Sequence, residues 1–375
     1  MIVLALNSGS SSFKLGLFQV QVAHLEELSS TTVANASTTQ TVASINELLA
    51  KPGVPAPDAI GHRIVHGGPD LRQHCLLNAF VIQQLEAAVP FAPLHMPAAL
   101  SFIRFALEHF PGLPQVACFD TAFHANMPDV ARVLPIPQEL RSAGIQRYGF
   151  HGLSCESIVH ALGKDLPDRI VIAHLGNGAS VTAVKNGKSI DTSMGLTPTG
   201  GAIMGTRSGD LDPGVLLYLM REMKFDAAKL AELVDHQSGL RGISGISSDM
   251  RQLHEAASLN ADARLAIQMF CYSVGKQIAA MIAALDGIDL LVFTGGIGEN
   301  DVQVRADICG HLSWIGIRLD ENRNQSADNP VNTAASRCVV RVIASQEDEQ
   351  IARHTFALAA KSRSVIAEKL TQMEN

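Results

Sequence analysis

Apolar and polar positions alternate between two regimes along this chain: short unbroken apolar runs that end in glycine and serine, and longer stretches with apolar residues three and four apart. The first run, Ile2-Val-Leu-Ala-Leu-Asn7-Ser-Gly9-Ser10-Ser-Ser12, turns into a second run at Phe13 to Phe18. The same device recurs as Ile170-Val-Ile-Ala-His174-Leu-Gly176-Asn-Gly178-Ala-Ser180, followed by Val181 to Val184. Each copy predicts a buried strand, a small-residue turn and a second strand. Aligning Gly9 with Gly178 sets Ser11 over Ser180. A turn of this kind aims backbone N–H groups at an anion, and the hydroxyls add donors. One such loop is mostly just a turn, but two of them half a chain apart suggest related lobes gripping one phosphate chain.

Leu100, Ile103, Leu107 and Phe110 stand at helical spacing between Pro97 and Pro111-Gly112, and Gln115 to Phe119 reads as a short buried strand ending at Asp120. The second half repeats the order. Strands over 170–174, 179–184 and 188–192 are joined by the Asn186-Gly187 hairpin turn, and Asp212-Pro213 and Asp226 open helices. A long helix from about Ala261 to Leu285 feeds a strand, Ile288 to Phe293, that ends in Thr294-Gly-Gly-Ile-Gly-Glu-Asn300. Residues 29–44 hold nine Ser/Thr in sixteen and no charge, which predicts an exposed edge strand or loop. Strands then helices, twice over, argue for an α/β fold with two lobes and a hinge near Gln146 to Gly149.

Composition narrows the class. At 375 residues, 47% hydrophobic and 17% charged, the chain suits two ordinary soluble domains. A net charge of −7 without a Lys/Arg cluster makes nucleic acid and anionic membrane poor partners. The N-terminal apolar run lacks a basic flank and a cleavage signal, so it reads as a strand. Six scattered cysteines without CxxC or zinc spacing read as reduced thiols, which fits a cytoplasmic location.

Six stretches are dense in polar residues and glycine without periodicity: Asn7 to Lys14, His62 to Gly68, Cys118 to His124, Arg147 to Gly152, Gly205 to Asp210 and Gly295 to Asn300. Singly, each has an ordinary reading: Arg63 a surface ion pair, His151 a satisfied core histidine, Asp120 a turn cap. Together they resemble the acetate kinases. Asn7-Ser-Gly-Ser-Ser-Ser-Phe-Lys14 and Gly61-His-Arg-Ile-Val-His-Gly-Gly68 are similar to that family's two signature segments. Phe119 to His124, Tyr148 to Gly152, His174 to Gly178, Met204 to Asp210, Ser244 to Arg251 and Phe293 to Asn300 resemble further blocks in the family's order, from residue 2 to about residue 356.

The resemblance implies two duplicated ribonuclease-H-like lobes, the actin-like ATPase fold, with the active site in the interlobe cleft. It places residues 1–148 with a returning helix over 353–375 in an N-terminal lobe, and 149–352 in a nucleotide-binding and dimerisation lobe. It implies a homodimer, a phosphotransferase that passes phosphate reversibly between ATP and acetate, and magnesium as the metal, with manganese as an alternative. A propionate or short-chain acyl kinase is the runner-up. A non-catalytic nucleotide switch would keep the phosphate loops without needing Arg63, His151 and Arg207.

The chemistry asks for such residues. Acetate must approach a polyanion, and one pair of unit charges at 4 Å repels by about 4 kcal/mol at an effective dielectric of about 20. By resemblance Arg63 meets the carboxylate substrate, while His151 and Arg207 stabilise the transition state. Asp120 is the family's catalytic acid. Acetate is already ionised at neutral pH, so a metal-positioning or electrostatic role suits Asp120 better than a base. Asn7 and Glu347 complete the magnesium environment. Ser10, Ser12 and Lys14 hold phosphates from one lobe, and His174, Leu175, Gly176, Asn177 and Gly178 from the other. The adenosine lies against Asp249, Met250 and Arg251 and against Gly296, Ile297, Gly298, Glu299 and Asn300. Val65, Leu94, Phe150 and Pro198 form a small apolar cup for the acyl group, with ordinary core packing as the alternative for each. The chain departs from the family's pattern at Met96, Leu153, Cys155 and Thr197-Pro-Thr-Gly-Gly201. It also departs at Ala344-Ser-Gln-Glu347-Asp-Glu349, where Asp348 and Glu349 blur the metal assignment.

Overall fold

The computed structural model describes residues 1–9, 12–34, 38–93 and 95–374. The chain divides into two units, Met1–Ala125 with Gly152–Ser157 and Gln346–Asn375, and Asn126–His151 with Ile158–Ser345. Contacts thus group residues 126–148 with the second unit and 346–352 with the first, whereas the sequence reading divided the chain at 148 and 353.

In the first unit, strands β1 (Ile2–Ser8), β2 (Ser12–Val20), β3 (Leu25–Ala34), β4 (Ala59–Ile64), β5 (Cys75–Leu76) and β6 (Gln115–Phe119) form one sheet in the order β3-β2-β1-β4-β6-β5. β1 pairs antiparallel with β2, setting Asn7 opposite Lys14, and β4 lies parallel to β1 and β6. The period of two sorts the side chains of β1 to opposite faces. Leu4 and Leu6 join Leu15, Leu17, Ile60 and Phe102 in one core, and Val3 and Ala5 join Val116, Cys118 and Ile351 in the other.

The helix Met96–His109 covers the first face, as its spacing predicts. So does the helix Thr38–Leu49, in a stretch read as edge strand or loop. β3 is that edge strand as far as Ala34, but Ile45 and Leu48, three apart, are fully buried and draw the chain beyond it into a helix. The helix Glu347–Glu374 covers the second face so closely that a Cβ at Gly61 would stand 2.2 Å from Thr355 Oγ1.

The second unit repeats the plan. Strands β7 (Arg169–Leu175), β8 (Ala179–Lys185), β9 (Lys188–Thr192), β10 (Leu290–Thr294) and β11 (Val339–Val342) run in the order β11-β10-β7-β8-β9. As in the first unit, three antiparallel strands are extended by parallel ones. Asn186 and Gly187 both take positive φ, as a tight hairpin turn requires. The helix Ala261–Leu285 is long and apolar enough to cross a membrane by length and composition alone. Here it packs on β7 and β8 and buries Ala266, Phe270, Val274, Ile278 and Leu285 along one stripe, the pattern of a core helix.

One buried titratable group lies beside the first unit's site. His62 on β4 is 2% exposed and its Nε2 lies 2.8 Å from Gln115 Oε1. Burial pushes its pKa down to about 4, against the opposing hydrogen bond to Gln115 Oε1. A histidine kept neutral in the fold stabilises fully above its unfolded pKa near 6.5, and loses that contribution as pH falls toward 4. We expect a loss of about 3 kcal/mol across that window. The His62→Gln variant should flatten the slope in denaturant titrations run between these pH values.

Candidate active site

In the first unit, four of the candidate side chains meet where the parallel strands end, the edge at which open α/β sheets bind ligands. Asn7 sits near the end of β1, Arg63 near the end of β4, Asp120 just past β6, and Glu347 opens the helix Glu347–Glu374. Arg63 grips Asp120 with Nε at 3.1 and 3.0 Å from Oδ1 and Oδ2, and with Nη2 at 2.7 Å from Oδ2. Its Nη1 donates to Asn7 Oδ1 at 3.1 Å and lies 3.7 Å from Glu347 Oε2. Asn7 Nδ2 donates to Glu347 Oε2 at 3.2 Å and to Asp348 Oδ1 at 2.6 Å.

Asp120 and Glu347 therefore face one guanidinium, and Asp348 joins them through Asn7. Asp120 is 1% exposed, and burial pushes its pKa up to about 6 although Arg63 pulls the other way. Burial raises Asp348 as well. Burial works against the charge on Arg63 too, but Asp120 and Glu347 outweigh it and hold the guanidinium firmly protonated. This excess of hard oxygen donors fits a small divalent cation such as magnesium. Asp348, a blurring neighbour in the sequence, stands inside the cluster. Its acidity was the available signal; its register was not.

Lys14 is exposed, opposite Asn7, and Val65 is buried just past β4. Ser10 and Leu94 lie outside the described residues, and Ser12 is described only as the first residue of β2.

In the second unit, His151 takes a left-handed backbone (φ 58°) just ahead of the helix Gly152–Leu162. Its Nδ1 lies 2.9 Å from Ser180 Oγ, and its ring stacks on His174 with centroids 4.1 Å apart. Ser180 is thus a positioning partner for His151, signalled in the sequence only by its place in the repeat. Arg207, 9% exposed, donates through Nη1 to Pro198 O at 3.0 Å. His151 and Arg207 converge on the glycine loop: a Cβ at Gly178 would stand 3.3 Å from both Arg207 Nη1 and His151 Nε2. Glycine there lets both side chains close on the loop backbone. Leu175 is buried, Asn177 exposed, and the Gly176 N–H donates to Gly178 O at 2.9 Å. Phe150 is buried and Pro198 half-buried.

The Gly295–Asn300 stretch is a short helix, not a loop. Glu299 Oε1 accepts the N–H groups of Gly295 at 2.8 Å and Ser345 at 3.0 Å, so its carboxylate braces the stretch from within. Gly296 and Asn300 are exposed, Ile297 is half-buried, and Gly298 is buried. Asp249 caps the helix Met250–Ala256 and forms a bidentate pair with the exposed Arg251, while Met250 is buried.

The sequence profile of the acetokinase family matches residues 27–353. The chain belongs to the acetokinase family. It is 45% identical over 307 residues to an acetate kinase of Nitrobacter hamburgensis, covering 81% of this chain and 76% of that protein. Among solved structures, a propionate kinase from Francisella tularensis superposes with a TM-score of 0.88 at 36% identity, covering 95% of this chain and 99% of that one. The Porphyromonas gingivalis acetate kinase superposes with a TM-score of 0.83 at 35% identity over the same shares. The duplicated α/β plan of this acetokinase is therefore shared with acetate and propionate kinases alike.

Proposed function

We propose that this acetokinase transfers the γ-phosphoryl group of ATP directly and reversibly to acetate, giving acetyl phosphate. The observation that carries the reading is the convergence of His151 and Arg207 on the Gly178 loop, with the Arg63 cluster at the strand ends of the other unit. A loosely bonded phosphoryl group in transfer asks for positioning and positive charge, which Arg207 and the His151 imidazole offer at the Gly178 loop.

Asn7, Asp120, Glu347 and Asp348 would hold magnesium, which would supply positive charge against the phosphate oxygens. Arg63, at the same strand ends, would meet the acetate carboxylate through its guanidinium donors. Asp120, gripped through both oxygens by Arg63, is placed for electrostatic work, and acetate has no proton to give up. Lys14 with Ser10 and Ser12, and His174 to Gly178, would cradle the phosphates. Asp249 to Arg251 and Gly296 to Asn300 would flank the adenosine.

Exposed apolar side chains on the helix Pro213–Glu222 (Val215, Leu217, Tyr218, Met220) and on Ala261–Leu285 (Leu265, Met269, Tyr272) support a homodimer formed through the second unit. Six free cysteines support a cytoplasmic, reducing setting. No nucleic acid or membrane partner is invoked.

The second reading is a propionate kinase, favoured by the Francisella tularensis neighbour. Val65 in the first unit and Phe150 and Pro198 in the second remain the acyl-cup candidates, and one methylene in such a pocket is worth about 1–3 kcal/mol. Hydroxamate trapping with acetate, propionate and butyrate in parallel tests the choice. We expect acetate to give the highest kcat/KM and propionate to be a poorer substrate, not an excluded one. A propionate optimum would keep the chemistry and overturn the substrate.

A further inference from the structure

Behind Asp120, in the first unit, His74, Glu156 and His354 bring one ligand atom each within 4.8 Å of one another, a composition that suggests a metal site. The protons argue otherwise. β5 begins at Cys75, opposite Ala117 of β6, so the Phe119 N–H lies beyond its ladder. His74 Nδ1 accepts that N–H at 3.0 Å. A neutral imidazole accepting at Nδ1 carries its proton on Nε2. That buried Nε2, 3.6 Å from Glu156 Oε2, is a donor aimed at a carboxylate and has no lone pair to give a cation. His354 Nε2 approaches the same oxygen at 2.6 Å, and Gln350 Nε2 lies 3.5 Å from it. Burial works against the Glu156 charge, but the hydrogen bond from His354 and the facing His74 imidazole outweigh it and hold the carboxyl ionised down to about pH 2.

Glu156 is where three parts of the candidate site are tied. Its helix begins at Gly152, whose N–H donates to Asp120 O at 2.8 Å. Its imidazole partner His354 rides on the helix that starts with Glu347 and Asp348. Next to Glu156, Ser157 Oγ accepts the Gln346 N–H at 3.1 Å, at the start of that same helix. Its other partner, His74, holds the residue before Asp120.

We propose that Glu156 is a positioning residue: through His354 and His74 it sets Glu347 and Asp348 against Asp120, and so sets the spacing of the oxygen donors offered to magnesium. This rests on the reading of those carboxylates as the magnesium group. The test is steady-state kinetics of the full-length enzyme, measuring kcat and the magnesium concentration for half-maximal activity. Glu156→Ala should lower kcat about tenfold and raise the magnesium requirement several-fold, since small displacements of positioned groups carry such costs. Glu156→Gln should restore most of both, because its amide oxygen still accepts from His354. If Glu156→Ala does not fold, His354→Ala reports the same shift.

A native kcat and magnesium requirement in the alanine variants overturns the proposal. Asp120→Asn and Glu347→Gln are run alongside. If they shift the magnesium requirement while the Glu156 and His354 variants do not, the positioning role alone fails. If they leave it unchanged, the magnesium reading falls and this proposal with it. Calorimetry with zinc alone should show no stoichiometric binding at the triad. One-to-one zinc binding lost in Glu156→Gln would replace the proposal with a metal site.

Discussion

Replacing Arg207 by alanine should lower kcat for acetyl phosphate formation about a thousandfold while changing the KM for ATP only a few-fold. The loss corresponds to about 4 kcal/mol of transition-state stabilisation. Arg207 is nearly buried, its guanidinium stands beside the Gly178 backbone, and His151 closes on the same point. In so dry a setting a charged donor acts with little screening from water. The group it stabilises bears most of its charge in flight, so the deficit belongs in kcat. Arg207→Lys separates charge from shape. It keeps the cation and loses the planar fork, and should recover only part of the rate. The bond to Pro198 O is also lost in the alanine variant, costing about 1 kcal/mol of stability, too little to unfold a domain of this size. Retention of more than about a tenth of the wild-type kcat would assign Arg207 to scaffolding instead.

The second large effect is on stability. Arg63→Ala should destabilise the protein by about 3–5 kcal/mol near pH 8, the usual cost of removing one partner of a buried ion pair. Arg63 pairs with Asp120 and faces Glu347, and its loss leaves buried Asp120 without its cation while Asn7 still holds Glu347 and Asp348. The pH dependence follows from Asp120. Its pKa is raised in the fold, so its proton-linked stabilisation is present in acid and lost as pH rises through about 6. Without Arg63 that pKa rises further, and the variant should regain stability on acidification toward pH 6. The double variant Arg63→Ala/Asp120→Asn should recover much of the loss at pH 8, because the uncompensated charge is gone. Denaturant titrations of the wild type, the two single variants and the double variant at both pH values decide this. Additive losses in the double variant would mean that the two side chains do not act as a pair.

The repeat of glycine-serine turns was legible because it is local, and β1–β2 and β7–β8 are the hairpins it announces. Two elements were not legible. Ser and Thr dominate residues 29–44 and hide the helix Thr38–Leu49, whose reason is the burial of Ile45 and Leu48 against a sheet that the composition does not reveal. Three glycines in six residues argue against a helix at Gly295–Asn300. The helix forms because Arg305, buried beneath it, holds the carbonyls of Gly298 and Glu299 at 3.0 and 2.9 Å, while Glu299 caps the Gly295 N–H. These tertiary bonds override a poor local propensity.

By itself, then, the sequence determined the duplicated α/β plan and the residue types the chemistry needs, because period, turn chemistry and motif order act over a few residues at a time. Only the tertiary structure decided which charges meet. Asn7 reaches Asp348, 341 positions away, and Glu156 reaches His354, 198 positions away. Whether a carboxylate is a metal donor, a brace or a cap depends on distance and burial. Both arise from packing helices onto a sheet, and no spacing along the chain records them.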